Sequence, residues 1–177
     1  MDRRGRDEEF TAFVAARSRA LLGTAYLLTG DRGRAEDLLQ TALLKTYLAW
    51  PRMREPQAAE AYVRRTMVTT SISWSRRRWR GELPAADLPE RLTPDGTSQI
   101  DRRAEVWPHL HALPPRQRAV VVLRFYEDLP EARIAELLGC SVGTVKSQTH
   151  RALATLRARM GLAEPTTDAD VTTGGGR

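Results

Sequence analysis

The stretch IAELLGCSVGTVKSQTHRALATLR, Ile134 to Arg157, decides how this chain is read. Ile134, Ala135, Leu137 and Leu138 supply the buried side of a short helix over Glu131 to Leu138. Gly139 follows where the chain must reverse, and a residue without Cβ accepts the left-handed backbone such a turn needs. Ser141 is a good N-cap for the next helix. At about 100° per residue, Val145, Thr149, Ala152, Leu153 and Leu156 fall in one arc, and Lys146, Ser147, His150 and Arg151 in the opposite one. The pattern predicts a helix-turn-helix whose second helix offers hydrogen-bonding side chains to the major groove. A solvated amphipathic face would show the same stripe. The Gly turn, the Ser cap and the preceding helical segment LPPRQRAVVVLRFYEDLP favour DNA.

Charge points the same way. Among 177 residues, 28 Lys+Arg stand against 22 Asp+Glu, a formal net charge of +6 in which Arg dominates. Arg's planar fork suits phosphates and base edges, so a nucleic acid is the first partner to consider. With 41% hydrophobic but 6% aromatic residues, the core is expected to be mainly Leu, Ala and Val. The single cysteine, Cys140, excludes an internal disulfide and a Cys-rich zinc site, and beside the recognition helix it reads as small-residue packing. No apolar run is long enough to span a bilayer, and the charged N-terminus is not a secretory signal, so a cytoplasmic protein without membrane partners is expected.

The expected fold class is all-α: two small helical domains joined by a flexible linker. Residues 1–9 form an N-terminal extension and residues 10–80 a helical bundle. Within it Phe10, Phe13, Val14, Leu21, Leu22, Ala25 and Leu28 recur at helical spacing, Gly30 stops the helix, and Asp31 caps the next. Ala35, Leu38, Leu39, Ala42, Leu43 and Tyr47 form the next apolar face, ended by Pro51. A turn-rich loop, PRMREPQAA, leads into a helix from Glu60 to Arg80. Its β-branched Val63, Thr66, Thr69, Thr70 and Ile72 make a strand the competing reading, set aside because strict alternation is absent. Residues 81–103, Pro-rich and acidic in their first half, read as the linker, 104–161 as the second domain, and 162–177 as a disordered tail.

The segment LPPRQRAVVVLRFYEDLPEARIAELLGCSVGTVKSQTHRALATLR resembles region 4 of bacterial sigma factors of the extracytoplasmic-function (ECF) group. GDRGRAEDLLQTALLKTYLAW and AYVRRTMVTTSISWSRRRWR resemble region 2. The resemblance implies a sigma factor that binds core RNA polymerase, through the β′ clamp helices and the β subunit, and directs promoter-specific initiation. The first domain would engage and open the −10 element and the second would read the −35 element. By matching positions, Thr144, Lys146, Ser147, His150 and Arg151 would contact −35 DNA, with Gln148 at the edge of the stripe. Arg54, Glu55 and Gln57 in the loop would cradle a flipped base, and Arg64, Arg65, Thr69, Ser73 and Arg76 would track the −10 strand. Asp37, Gln40, Thr41 and Leu44 would grip the clamp helices. Thr41, Thr69 and Ser73 depart from the acidic, Asn and Asp residues usual at those places. Trp74 reads as core, and Trp79 is left open between packing and base stacking. An anti-sigma factor is a possible further partner.

No phosphate-binding Gly loop or Ser/His/Asp arrangement is present, so no enzyme, no catalytic residue and no cofactor is expected. His109 and His111 lack a third ligand and read as surface or domain-packing residues, not a metal site. The rival is a stand-alone helix-turn-helix activator that binds promoters without polymerase. A protein that titrates another factor is a third reading.

Overall fold

The structure, a computed structural model, describes residues 3–53, 56–79 and 108–162, with backbone alone at 3, 56, 57, 78 and 79. The expected linker and all but the first residue of the expected tail lie outside the described residues. The helices are α1 (Arg3–Thr29), α2 (Arg32–Ala49), a 3₁₀ turn (Trp50–Arg52), α3 (Pro56–Trp79), α4 (Pro115–Val121), a turn of π-helix (Val122–Tyr126), α5 (Glu131–Leu138) and α6 (Val142–Arg159). Residues 108–111 are also helical, and no strand occurs among the described residues, as the all-α reading requires.

The first bundle is α1, α2 and α3. Gly30 ends α1 with φ +75°, and the Asp31 carboxylate accepts from the Arg34 N–H at 2.7 Å to start α2. Leu21, Ala25 and Leu28 of α1, Ala35, Leu38 and Ala42 of α2, and Val63, Met67 and Val68 of α3 bury the shared faces. Helix α1 begins at Arg3, ahead of the apolar spacing that starts at Phe10. Tertiary contacts hold this extra length: the Tyr47 hydroxyl donates to Asp7 Oδ1 at 2.8 Å, and the Phe10 ring lies 5.1 Å from those of Tyr47 and Trp50. Helix α3 likewise begins at Pro56 rather than Glu60, because proline's fixed φ suits the first turn of a helix. Its β-branched residues are helical because Val63, Thr66, Val68 and Thr70 are buried against neighbouring helices, and packing overrides propensity.

The second bundle packs α4 and α5 on α6 around Val120, Val122, Leu123, Ile134, Val145 and Ala152. It does not stand apart. Helix α3 packs on α4 and α5, and α1 on α4 and the π turn, so both bundles share one apolar core. Arg118 ties the junction: its guanidinium donates to the carbonyls of Leu110, His111 and Leu113, and across to Leu28 at 2.9 Å. A cavity of about 970 Å³ lies along the junction, lined among others by Arg34, Asp37, Trp74, His111 and Arg118.

Candidate nucleic-acid interface

The turn between α5 and α6 is built as its residues dictate. Gly139 has φ +62°, its N–H points to Glu136 O, and the Cys140 N–H bonds to Ala135 O at 3.0 Å, closing α5 in a Schellman arrangement. Two residues on, Ser141 Oγ accepts from the Thr144 N–H at 3.1 Å and opens α6. The chain therefore reverses in three residues, with both helix ends satisfied. Cys140 is half-buried against the core, as the packing reading expects.

Helix α6 buries Val145, Ala152 and Leu156, and its opposite side exposes Lys146, Ser147, His150 and Arg151. Lys146 comes within 3.9 Å of the half-buried Glu131, and this long contact of an exposed lysine leaves the ammonium available. Ser147 Oγ donates to Thr144 O at 3.0 Å, which leaves the exposed hydroxyl its acceptor capacity. Thr144 is only half-exposed and its hydroxyl shares a 2.9 Å hydrogen bond with Ser141, which makes it part of the cap. Gln148 is half-buried at the edge of the stripe.

Helix α3 exposes Arg65, Thr69 and Arg76 within one narrow arc, and Ser73 is half-buried beside them. The spacing argument did not single out Tyr62, an exposed aromatic 37% accessible, one turn before Arg65 on the same side. Its three-residue spacing from Arg65 was the available signal. Arg64 stands apart from this face. Its guanidinium pairs with Glu60 at 2.7 Å and with Glu127 of the second bundle at 2.7 Å. Arg54 and Glu55 lie outside the described residues, as do the side chains of Gln57 and Trp79. Trp74 packs half-buried against the core.

On α2, Asp37 and Gln40 are exposed, Thr41 is half-buried, and Leu44 is 61% exposed. Leu48, one turn further and 70% exposed, extends the row. It too was missed, although a leucine off the buried set of Ala35, Leu38, Leu39 and Ala42 is a legible sign. His111 sits at the bundle junction, its ring against Gly30. Burial, reinforced by the Arg118 charge, pulls its pKa down to about 4. His111 thus belongs to the packing of the junction, His109 is half-buried, and no group of three or more potential metal ligands occurs among the described residues. No described helix is long and apolar enough to cross a membrane.

The chain is similar to known proteins along both bundles. Residues 13–81 match the sigma-70 region 2 family and residues 110–156 match sigma-70 region 4. The RNA polymerase sigma-E factor of Streptomyces coelicolor is 45% identical over 152 residues, 86% of each chain. The ECF RNA polymerase sigma factor SigL of Mycobacterium tuberculosis is 33% identical, covering 75% of this chain and 78% of that one. The sigma factor RpoE of Bartonella quintana, solved in complex with the anti-sigma factor NepR, superposes with a TM-score of 0.71 over 89% of this chain and 99% of that chain, at 20% identity. A capped helix with an exposed polar stripe on one bundle, a basic helix on the other and these matches lead to one conclusion: the chain belongs to the sigma-70 family, as an ECF RNA polymerase sigma factor that directs promoter-specific transcription initiation.

Proposed function

We propose that the two bundles divide promoter reading, residues 10–80 acting as region 2 and residues 104–161 as region 4, with 81–103 as the connection between them. Lys146, Ser147, His150 and Arg151 read the −35 element in the major groove, and Thr144 fixes the start of the reading helix while lying near a phosphate. The observation that carries this is the exposure of those four side chains on the outer face of a helix capped at Ser141. Arg65, Thr69, Ser73 and Arg76, joined by Arg64 when it is free, track the −10 strand. Arg54, Glu55 and Gln57 hold its flipped base, and Tyr62 is placed to stack on another. Asp37, Gln40 and Thr41 with Leu44 and Leu48 form the surface for the β′ clamp helices, a polar group followed by an apolar row.

The protein contributes no chemistry of its own; bond formation belongs to the core polymerase, and the site of action is the cytoplasm, with the chromosome. An anti-sigma protein, the class of partner held by the Bartonella relative, is a partner we extend to this chain. Run-off transcription with core polymerase tests the reading. Initiation at a discrete promoter supports it, and failure to associate with core enzyme favours a stand-alone activator.

A further inference from the structure

The cavity of about 970 Å³ along the junction of the bundles combines two kinds of lining. Leu28, Leu113, Pro114 and Pro115 make part of it apolar, and the half-buried indole of Trp74 adds a planar aromatic surface. The rest is polar and comes mainly from α2 and α3, where Arg34 and Asp37 lie one turn apart and Ser71, Trp74 and Ser75 share one face. Small-molecule sites are clefts of roughly 300–1,000 Å³ that join apolar walls to a few convergent polar groups, so this one has room for a molecule of nucleotide size.

Charge narrows the class of ligand. Among the described residues three guanidinia, Arg34, Arg77 and Arg118, line the cavity against one carboxylate, Asp37. His111 adds no charge at pH 7, since burial, reinforced by Arg118, pulls its pKa down to about 4. The excess of two positive charges matches the dianion of a phosphate monoester. Arg118 supplies field rather than a binding fork, because its guanidinium already donates to the carbonyls of Leu28, Leu110, His111 and Leu113. Arg34, half-buried on α2, and Arg77, exposed near the end of α3, bring the forks, and a phosphate is a stronger partner for a guanidinium than a neutral acceptor is. The other polar groups ask for the opposite. Thr29, Ser71 and Ser75 donate their hydroxyl protons to the carbonyls of Ala25, Val68 and Ser71, each at 2.9 Å, so they offer a ligand acceptors only, as Asp37 does. A ligand that satisfies this lining is dianionic at one end, carries N–H or O–H donors elsewhere, and is planar enough to cover an indole.

We propose that the junction cavity is a binding site for a nucleoside monophosphate, with its phosphate held by Arg34 and Arg77, its base on Trp74, and its amino and hydroxyl groups on Asp37 and the serine and threonine oxygens. Binding here needs neither polymerase nor promoter, so the site stands or falls apart from the promoter-reading assignments.

The test is isothermal titration calorimetry of the full chain with adenosine monophosphate, using adenosine and inorganic phosphate as the two halves of the probe. The expected result is one site per chain, with each half binding about tenfold more weakly than the whole, or worse. Arg77→Gln should weaken binding about tenfold, and the exposure of Arg77 means that the fold survives the change. Arg32→Gln makes the same charge change at an exposed residue outside the cavity lining and should leave the affinity unaltered. The indole N–H resonance of Trp74, assigned through Trp74→Phe, should move during the titration. No binding of adenosine monophosphate, or inorganic phosphate binding as tightly, overturns the nucleotide assignment. Equal losses in Arg77→Gln and Arg32→Gln reduce the attraction to diffuse charge, and an unmoved Trp74 resonance puts the nucleotide elsewhere; either overturns the site. Displacement of adenosine monophosphate by single-stranded DNA without a terminal phosphate makes the cavity part of a DNA path and overturns it as a small-molecule site.

Discussion

The imidazole of His111 lies so close to Gly30 that a β-carbon added there would sit 1.8 Å from the ring. Gly30 also has φ +75°, where side-chain-bearing residues are strained. Gly30→Ala should therefore cost about 1–3 kcal/mol, measured by urea unfolding. The backbone part of that cost persists in a His111→Ala background and the steric part does not, so the double mutant should be less destabilised than the sum of the singles.

Stability should fall with acid through the same residue. His111 titrates near 6.5 when unfolded and about 4 when folded, so between these values the unfolded chain binds the extra proton. Its contribution is fully present above about pH 6.5, declines as pH drops toward 4, and changes no further below that. Unfolding midpoints of wild type and His111→Gln, compared at neutral pH and at pH 5, should show a shallower decline in the variant. Equal slopes would assign the acid sensitivity to other groups.

Arg118 should tolerate no replacement well. Its guanidinium serves the carbonyls of Leu28, Leu110, His111 and Leu113, and burial pulls its pKa to about 10, which still leaves it charged at neutral pH. Arg118→Ala orphans buried acceptors and should destabilise by about 3 kcal/mol or more. Lysine, a point charge with three donors, should recover part of that loss. Thermal unfolding of the three proteins would rank them.

Ser141→Ala removes the acceptor for the Thr144 N–H and should cost about 1 kcal/mol. Because the cap sets the first turn of α6, −35 affinity should fall as well, and Ser141→Asp should restore the stability. Unchanged amide exchange at Thr144 and Val145 in the alanine variant would contradict this.

Arg151→Ala should weaken −35 binding by about 1–3 kcal/mol and relax the sequence preference if the side chain reads a base, or weaken all sequences equally if it holds a phosphate. Binding titrations on a cognate site and on single-base variants distinguish the two. Asp37→Ala with Gln40→Ala should lower core-polymerase affinity while leaving the helical spectrum intact, since both side chains are exposed.

The local elements are legible from neighbouring residues alone. Gly30 with Asp31, and Gly139 with Ser141, mark helix ends through backbone freedom and capping oxygens that act within three or four residues. The polar stripe of α6 followed from helical spacing alone. Contacts between residues far apart in the chain depend on the packed fold. The early start of α1 depends on Tyr47 reaching Asp7. The helical state of the β-branched stretch in α3 depends on burial against partners that its own spacing does not name. Above all, the docking of the bundles depends on Glu127 meeting Arg64 and Thr24, and on Arg118 reaching Leu28. In sequence Arg64, Arg118 and Glu127 are ordinary charged residues of a basic chain; only a fold that brings them to their partners out of water turns them into buried contacts, since pairing strength depends on distance and desolvation and neither is encoded in local order.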